Sequence, residues 1–393
     1  MDKTAKTGRV TGKQVVISTV GEECKAFVPT PLPPDPPLQI DKELQDLHEQ
    51  ALLSIGRLDS LSDLLPDTSL FIYMYIRKEA VLSSQIEGTQ SSLSDLLLFE
   101  SDAIPGVPID DVQEVSNYVA AMYHGLKRIA GGFPLSLRLI REMHEKLLSN
   151  GRGEDKNPGE FKKSQNWIGG TRPGNAKFVP TPPDLVVQEM GELEKFIHEE
   201  DSGISVLIKA ALIHVQFETI HPFLDGNGRL GRLLITLILC DAGILKEPLL
   251  YLSLYFKMNR EQYYDLLQDI RTSGDWERWV KFFLRGVVET AGQAVQTAKA
   301  LVQQINSDQK RIQQIPGRIS GSATQVHLAL QQRPVASIKE LSRLTSLTQP
   351  TVTTALEKLQ EIGMVKEVTG QKRNRLFMYD SYIHILSDGT TPL

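Results

Sequence analysis

The chain has 393 residues, 41% of them apolar and 23% charged, which is enough to bury more than one core and excludes disorder as its main description. A formal net charge of -5 excludes a wholly basic coat for nucleic acid or membrane, so any polyanion site is local. Only Cys24 and Cys240 are present, which excludes a disulfide framework and a cysteine-built zinc site; no apolar run approaches the roughly 20 residues that span a bilayer, so a reducing, cytoplasmic setting without membrane partners is expected.

Residues 1–40 read as an extended N-terminal arm, polar to about residue 28 and then carrying six prolines between Pro29 and Pro37 that disfavour regular hydrogen bonding. Residues 41–110 read as an N-terminal helical region. Leu44, Leu47, Ala51, Leu52, Ile55 and Leu58 recur at three and four residues, and further helices are predicted over 68–87 and 92–100, the first with Leu70, Phe71, Met74 and Val81 on its apolar face. Residues 111–315 hold the main core, with helices predicted over 110–130, 136–149, 184–199, 203–219, 229–242, 260–272 and 276–305. Strand signals are scarce there except over 164–182, where Trp167-Ile168-Gly169-Gly170 and Lys177-Phe178-Val179-Pro180 flank Pro173-Gly174-Asn175 as a short β-hairpin would. Residues 316–393 follow a Pro316-Gly317 break. Three short helical patterns and two strands, near 364–368 and 375–379, give the layout of a winged helix-turn-helix.

The densest signal is the stretch His221-Pro222-Phe223-Leu224-Asp225-Gly226-Asn227-Gly228-Arg229-Leu230-Gly231-Arg232, between the two most apolar helices. Gly226, Asn227 and Gly228 can take positive φ and lead into a helix N-terminus, where backbone N–H groups and the macrodipole favour an anion. Arg229 and Arg232, three apart, share a face and oppose that dipole, which points to an anion that pairs with them. Asp225 supplies the hard oxygen that a magnesium ion on two phosphates needs, and His221 has the ordinary pKa for proton abstraction near neutrality. His214, two turns before His221, suits a packed or hydrogen-bonded role better than a metal ligand.

These residues resemble the Fic family signature at every fixed position. The resemblance implies a mainly α fold: a Fic-type helical bundle with a β-hairpin flap, here followed by the winged helix-turn-helix. It implies a protein adenylyltransferase that moves AMP from ATP to a Tyr, Thr or Ser hydroxyl of a target protein, or of itself, and releases pyrophosphate. In that reading His221 deprotonates the hydroxyl and Asp225 holds Mg2+. Gly226, Asn227, Gly228, Arg229, Leu230 and Gly231 form the nucleotide-binding stretch, and Arg232 takes the γ-phosphate. Gly169, Gly170, Lys177, Phe178 and Val179 resemble the flap, whose free edge suits a target backbone by strand addition. Asn259 and Tyr263 are candidates for an adenosine pocket, and a homodimer is a family-based expectation.

A second signal is Ser83-Ser84-Gln85-Ile86-Glu87-Gly88. Ser83 and Glu87 share a helix face and Gly88 suits the C-terminal cap, yet an acid at a helix C-terminus is unfavourable unless it meets a cation. The motif is similar to the inhibitory helix of one Fic class, which implies that Glu87 pairs with Arg232 in the γ-phosphate position.

Residues 318–380 carry nine Lys/Arg against five Asp/Glu, so the basic character concentrates there. Ser346, Thr348, Gln349, Thr351 and Thr353 at the start of the recognition helix, with Lys372, Arg373 and Arg375 at the wing, make DNA a candidate partner. Two alternatives stay open: a DNA-binding regulator with a nucleotide-sensing core, and removal of AMP by the same site.

Overall fold

The structure, a computed structural model, describes residues 8–62, 68–101, 106–200, 203–371 and 373–392. Lys372 therefore lies outside the described residues, as does the side chain of Leu70. The arm expected over residues 1–40 contains an antiparallel hairpin, β1 (Gly12–Thr19) and β2 (Glu22–Pro29), with Gly12 opposite Pro29. Val20 and Gly21 both take positive φ (52° and 77°), as a tight two-residue hairpin turn requires. β1 holds the β-branched run Val15-Val16-Ile17, and β2 alternates Cys24, Ala26 and Val28 into a buried face.

The helices follow in chain order as α1 (Lys42–Ser62), α2 (Thr68–Ile86), α3 (Leu93–Phe99), α4 (Ile109–Ala130), α5 (Leu137–Leu147) and α6 (Pro183–His198). After them come α7 (Val206–Ile220), α8 (Asn227–Asp241), α9 (Ser253–Met258), α10 (Arg260–Ser273) and α11 (Trp276–Gln313). α7 is buried on every side from Ala210 to Ile220, and α8 nearly so from Arg229 to Leu239. Helices apolar all round must be enclosed: α6, α10 and α11 cover α7, while α2, α4 and α5 cover α8. The loop between them, residues 221–226, is thus held by the most rigid part of the molecule.

α11 is about 57 Å long at 1.5 Å per residue and runs past residue 305 because its last turns are covered by the C-terminal unit. That unit comprises α12 (Ile319–Gln332), β3 (Val335–Ser337), α13 (Ile338–Thr345), α14 (Gln349–Glu361), β4 (Val365–Glu367), β5 (Leu376–Tyr379) and α15 (Asp380–Leu386). Its antiparallel sheet has the order β3-β5-β4, a winged helix-turn-helix with β3 and α15 beyond the expected elements. It is tied to α11 through Asp308, which is fully buried and accepts the Tyr379 hydroxyl at 2.7 Å and Arg311 at 3.1 Å. Among the described residues no helix is long and apolar enough to cross a membrane.

Candidate active site

α7 ends at His221, which takes the left-handed conformation (φ 52°, ψ 61°). A non-glycine residue there costs about 1–3 kcal/mol, so surrounding contacts must hold it. Two do. Phe223 is fully buried and stacks on His144 of α5 with ring centroids 3.7 Å apart, while the Asn227 side chain accepts from Phe223 N (2.9 Å) and donates to Phe223 O (2.8 Å). His144 receives the Gly159 N–H on Nδ1 (2.9 Å), which leaves Nε2 to donate to the Asp225 carbonyl (3.0 Å). Burial pushes His144 down to about 4, so it serves as a neutral strut.

Beyond this loop the N-terminus of α8 opens into a cavity of about 170 Å³. Glu87, Glu114, Arg152, His221, Asp225 and the backbone of residues 226–229 line it. Of the expected positive-φ trio only Gly226 (φ 76°) has it, because Asn227 already begins the helix. Gly228 serves by size: a Cβ there would stand 2.3 Å from Glu87 Oε1. Leu230 is core, and a Cβ on Gly231 would stand 2.7 Å from Glu218 Oε1, so neither lines the cavity as expected. The Asp225 carboxylate is 39% exposed, takes its own Gly226 N–H (2.6 Å), and lies over Gly153, where a Cβ would come within 3.2 Å of Oδ2.

The two arginines expected on one anion have separate partners. Arg229 pairs with Glu114 of α4 (3.0 Å) and more distantly with Asp225 (3.6 Å), and its Nε and Nη1 have no hydrogen-bond acceptor although it is only 3% exposed. Burial raises Glu114 above the ordinary carboxylate range against the opposing pull of Arg229. Arg232 is 2% exposed and donates from Nε to Ser83 Oγ (2.8 Å), and from Nη2 to the Ser83 carbonyl (3.0 Å) and Glu87 Oε1 (2.6 Å). Burial would raise Glu87, but the Arg232 charge and hydrogen bond outweigh it and hold the carboxyl below its usual value. Gly88 follows with φ 103°, and Arg260 caps the helix end on the Ile86 carbonyl at 3.1 Å.

The end of α2 is also gripped by the residues after α15, which no sequence signal indicated. Gln85 donates to the carbonyls of Ser91 (2.8 Å) and Thr390 (2.7 Å). Lys257 of α9, 4% exposed, donates to Gln85 Oε1 (2.6 Å) and to the carbonyls of Gly389 (3.1 Å) and Thr391.

The flap is a hairpin of a single bridge, Ile168 with Phe178. Its second arm also receives β2, since Phe27 N donates to Val179 O (2.8 Å) and Glu22 accepts Gly174 N (2.9 Å) at the tip. Gly169 and Gly170 are exposed with positive φ and Lys177 is exposed, while Phe178 and Val179 are buried, Phe178 under the Arg271 guanidinium at 3.8 Å. Tyr263, expected near adenosine, is enclosed by Phe256 and Trp279 and bonds His214 Nε2 at 2.9 Å, so its ring offers no face to a ligand. Asn259 donates to the Tyr255 carbonyl at 3.0 Å as a helix-end brace. His214 is packed and bonded, as expected.

Comparison with known proteins agrees with this geometry. Residues 45–127 match the family described as "Fic/DOC family N-terminal", and residues 134–239 match "Fic/DOC family". The chain belongs to the Fic/DOC family. Residues 324–366 match "Winged helix-turn-helix DNA-binding". Proteins named "Protein adenylyltransferase Fic" from Aedes aegypti (32% identical, 58% of this chain and 44% of that protein) and Drosophila virilis (30%, 67% and 52%) are similar to it. The chain thus spans about half the length of these relatives. Among solved structures, a Fic family protein from Desulfovibrio desulfuricans shares the fold at a TM-score of 0.57. That match has 20% identity and covers 87% of this chain and 97% of that one.

Lys257→Met removes three donors from the clasp around α2. Hydrogen exchange of the amides from Gln85 to Gly88 is expected to quicken by about tenfold, the equivalent of one hydrogen bond of about 1–1.5 kcal/mol. Unchanged exchange there would contradict the clasp.

Proposed function

We propose that the Fic core of this chain is a protein adenylyltransferase that moves AMP from ATP to a protein hydroxyl, held inactive by Glu87. The observation that carries the reading is one cavity shared by three groups: His221, the open N-terminus of α8, and the buried Arg229, whose Nη1 faces Glu114 and whose Nε lacks an acceptor. A buried guanidinium with an unmet donor beside free backbone N–H groups suits phosphate oxygens. The name shared by the Aedes and Drosophila relatives supports AMP transfer in particular.

In the proposed reaction the α- and β-phosphates lie against the N–H groups of residues 226–228 and Arg229. Asp225 is the residue that would hold Mg2+, since that ion needs only one or two carboxylates beside phosphate and water, and the gap over Gly153 leaves Oδ2 open. The ion, when bound, would offset charge on the phosphates. Burial, reinforced by Lys162 and Arg271, pushes His221 down to about 3, so its imidazole is unprotonated at neutral pH and able to accept a proton. The target hydroxyl gives its proton to His221, its oxygen bonds to the α-phosphorus, and the bond from that phosphorus to the bridging oxygen breaks to release pyrophosphate.

The inhibited state follows from space and charge. With Glu87 on Arg232 the cavity is about 170 Å³, well under the roughly 300–1,000 Å³ of usual ligand pockets. The γ-phosphate would need the same guanidinium. Removal of AMP by the same site is the alternative, and the assay below separates the two.

The winged helix supports duplex DNA as a partner. Arg333, Lys339, Arg343, Arg373 and Arg375 surround a groove of about 1550 Å³ beside the start of α14, though Glu100 and Glu340 line it too. Thr348 caps α14 and bonds Thr351, and Thr353 bonds back to the Gln349 carbonyl, while Ser346 and the Gln349 side chain stand exposed.

With α-labelled ATP and magnesium, Glu87→Gly is expected to raise labelling of itself and of lysate proteins at least tenfold, and adding His221→Ala to lower it by 10²-fold or more. Equal labelling with and without His221 would contradict the transfer mechanism, and release of AMP from labelled protein by the wild type would favour removal. For DNA, Arg373→Ala with Arg375→Ala is expected to weaken duplex binding and flatten its salt dependence by about two ions; binding unchanged in both respects would remove DNA from the account.

A further inference from the structure

We propose that Glu218 is a positioning residue for His221: its carboxylate takes the proton on Nδ1 and so fixes the tautomer whose Nε2 lone pair faces the target hydroxyl. The inference rests on the reading of His221 as the base.

Four observations carry it. Glu218 lies one turn before His221, and the left-handed turn at His221 folds the ring back so that Nδ1 stands 3.7 Å from Glu218 Oε2. Nδ1 of His221 and Oε1 of Glu218 are both buried and both without a hydrogen-bond partner. Leaving either so is unfavourable, and a small rotation that closes the pair recovers the loss. Among the described residues the Glu218 carbonyl also faces Nδ1, but it shares its lone pairs with Arg271 Nη2, which donates to it at 3.2 Å. Finally, α8 leaves out a side chain to make room: a Cβ on Gly231 would stand 2.7 Å from Glu218 Oε1, so the glycine expected to bind phosphate instead admits this carboxyl.

The surrounding charge suits the role. Arg232 of α8, Glu87 just after α2, and Arg271, Tyr263 and Tyr264 of α10 face Glu218, and Lys162 also faces His221. Burial holds Glu218 up to about 7, against the pull of Arg232 and with Glu87 adding to the rise. An ionised Glu218 stabilises the imidazolium that forms when His221 accepts the hydroxyl proton. No bond breaks at Glu218: the Nδ1 proton stays on the ring while Nε2 gains one.

The test uses the full chain labelled with ¹⁵N-histidine, with the His221 signal assigned from its loss in His221→Ala. The wild type is expected to show Nδ1 protonated and Nε2 bare, and Glu218→Ala to move His221 toward the Nε2-protonated tautomer. Glu218→Gln, nearly the same shape, keeps an acceptor and is expected to retain the tautomer while losing the charge. In the Glu87→Gly background it should lower kcat for AMP transfer by about tenfold to a hundredfold and leave KM for ATP within twofold. A His221 tautomer unchanged in Glu218→Ala would overturn the proposal, as would a Glu218→Gln loss expressed in KM alone. The tautomer is read without any turnover, so a shift seen in a protein that transfers no AMP would retain the positioning role and reject the transferase reading.

Discussion

A buried guanidinium must have an anion, and in this molecule that guanidinium is Arg232. It stands in the second turn of α8, near the positive end of a helix dipole, 2% exposed, where an unpaired cation would be strongly destabilising. Ser83 supplies neutral acceptors and Glu87 supplies the charge. A position that demands an anion but does not demand a particular one can be filled from within the chain or by a ligand, and the proposed inhibition is that exchange.

Much of the architecture serves to hold Glu87 and the N-terminal part of α8 in reach of each other. The enclosed pair α7 and α8 fixes the loop with His221 and Asp225, through Phe223, His144 and Asn227. The last turn of α2 is fixed by the buried Leu82 and Ile86 and by polar links: Arg260 on Ile86, and Gln85 held by Lys257 and the residues after α15. The segment that grips Gln85 follows β5 and α15 of the winged helix, and Gln85 is two residues from Glu87. The release of Glu87 and the state of the C-terminal unit are therefore mechanically adjacent.

The helices were legible because their apolar residues recur at three and four positions, and the motif from His221 to Arg232 because its chemistry is local in sequence. What was not legible depended on distant partners. Glu114, His144 and Lys257 read as ordinary polar residues of amphipathic helices, and only the fold brings them to Arg229, Asp225 and Gln85. The same holds for glycines: Gly228 and Gly231 look like parts of a phosphate loop, whereas their missing side chains make room for Glu87 and Glu218. The helix predicted over 276–305 stops short because residues 306–313 are mostly polar, but Asp308 and Ile312 are buried and α11 continues to Gln313.

The most direct test of the account is the affinity of the wild type and of Glu87→Gly for ATP and for ADP, measured by calorimetry with magnesium. If Glu87 and the γ-phosphate share Arg232, removal of Glu87 should tighten ATP binding by about tenfold or more while ADP gains much less. Equal gains for the two nucleotides, or none for either, would show that Glu87 does not stand in the γ-phosphate position.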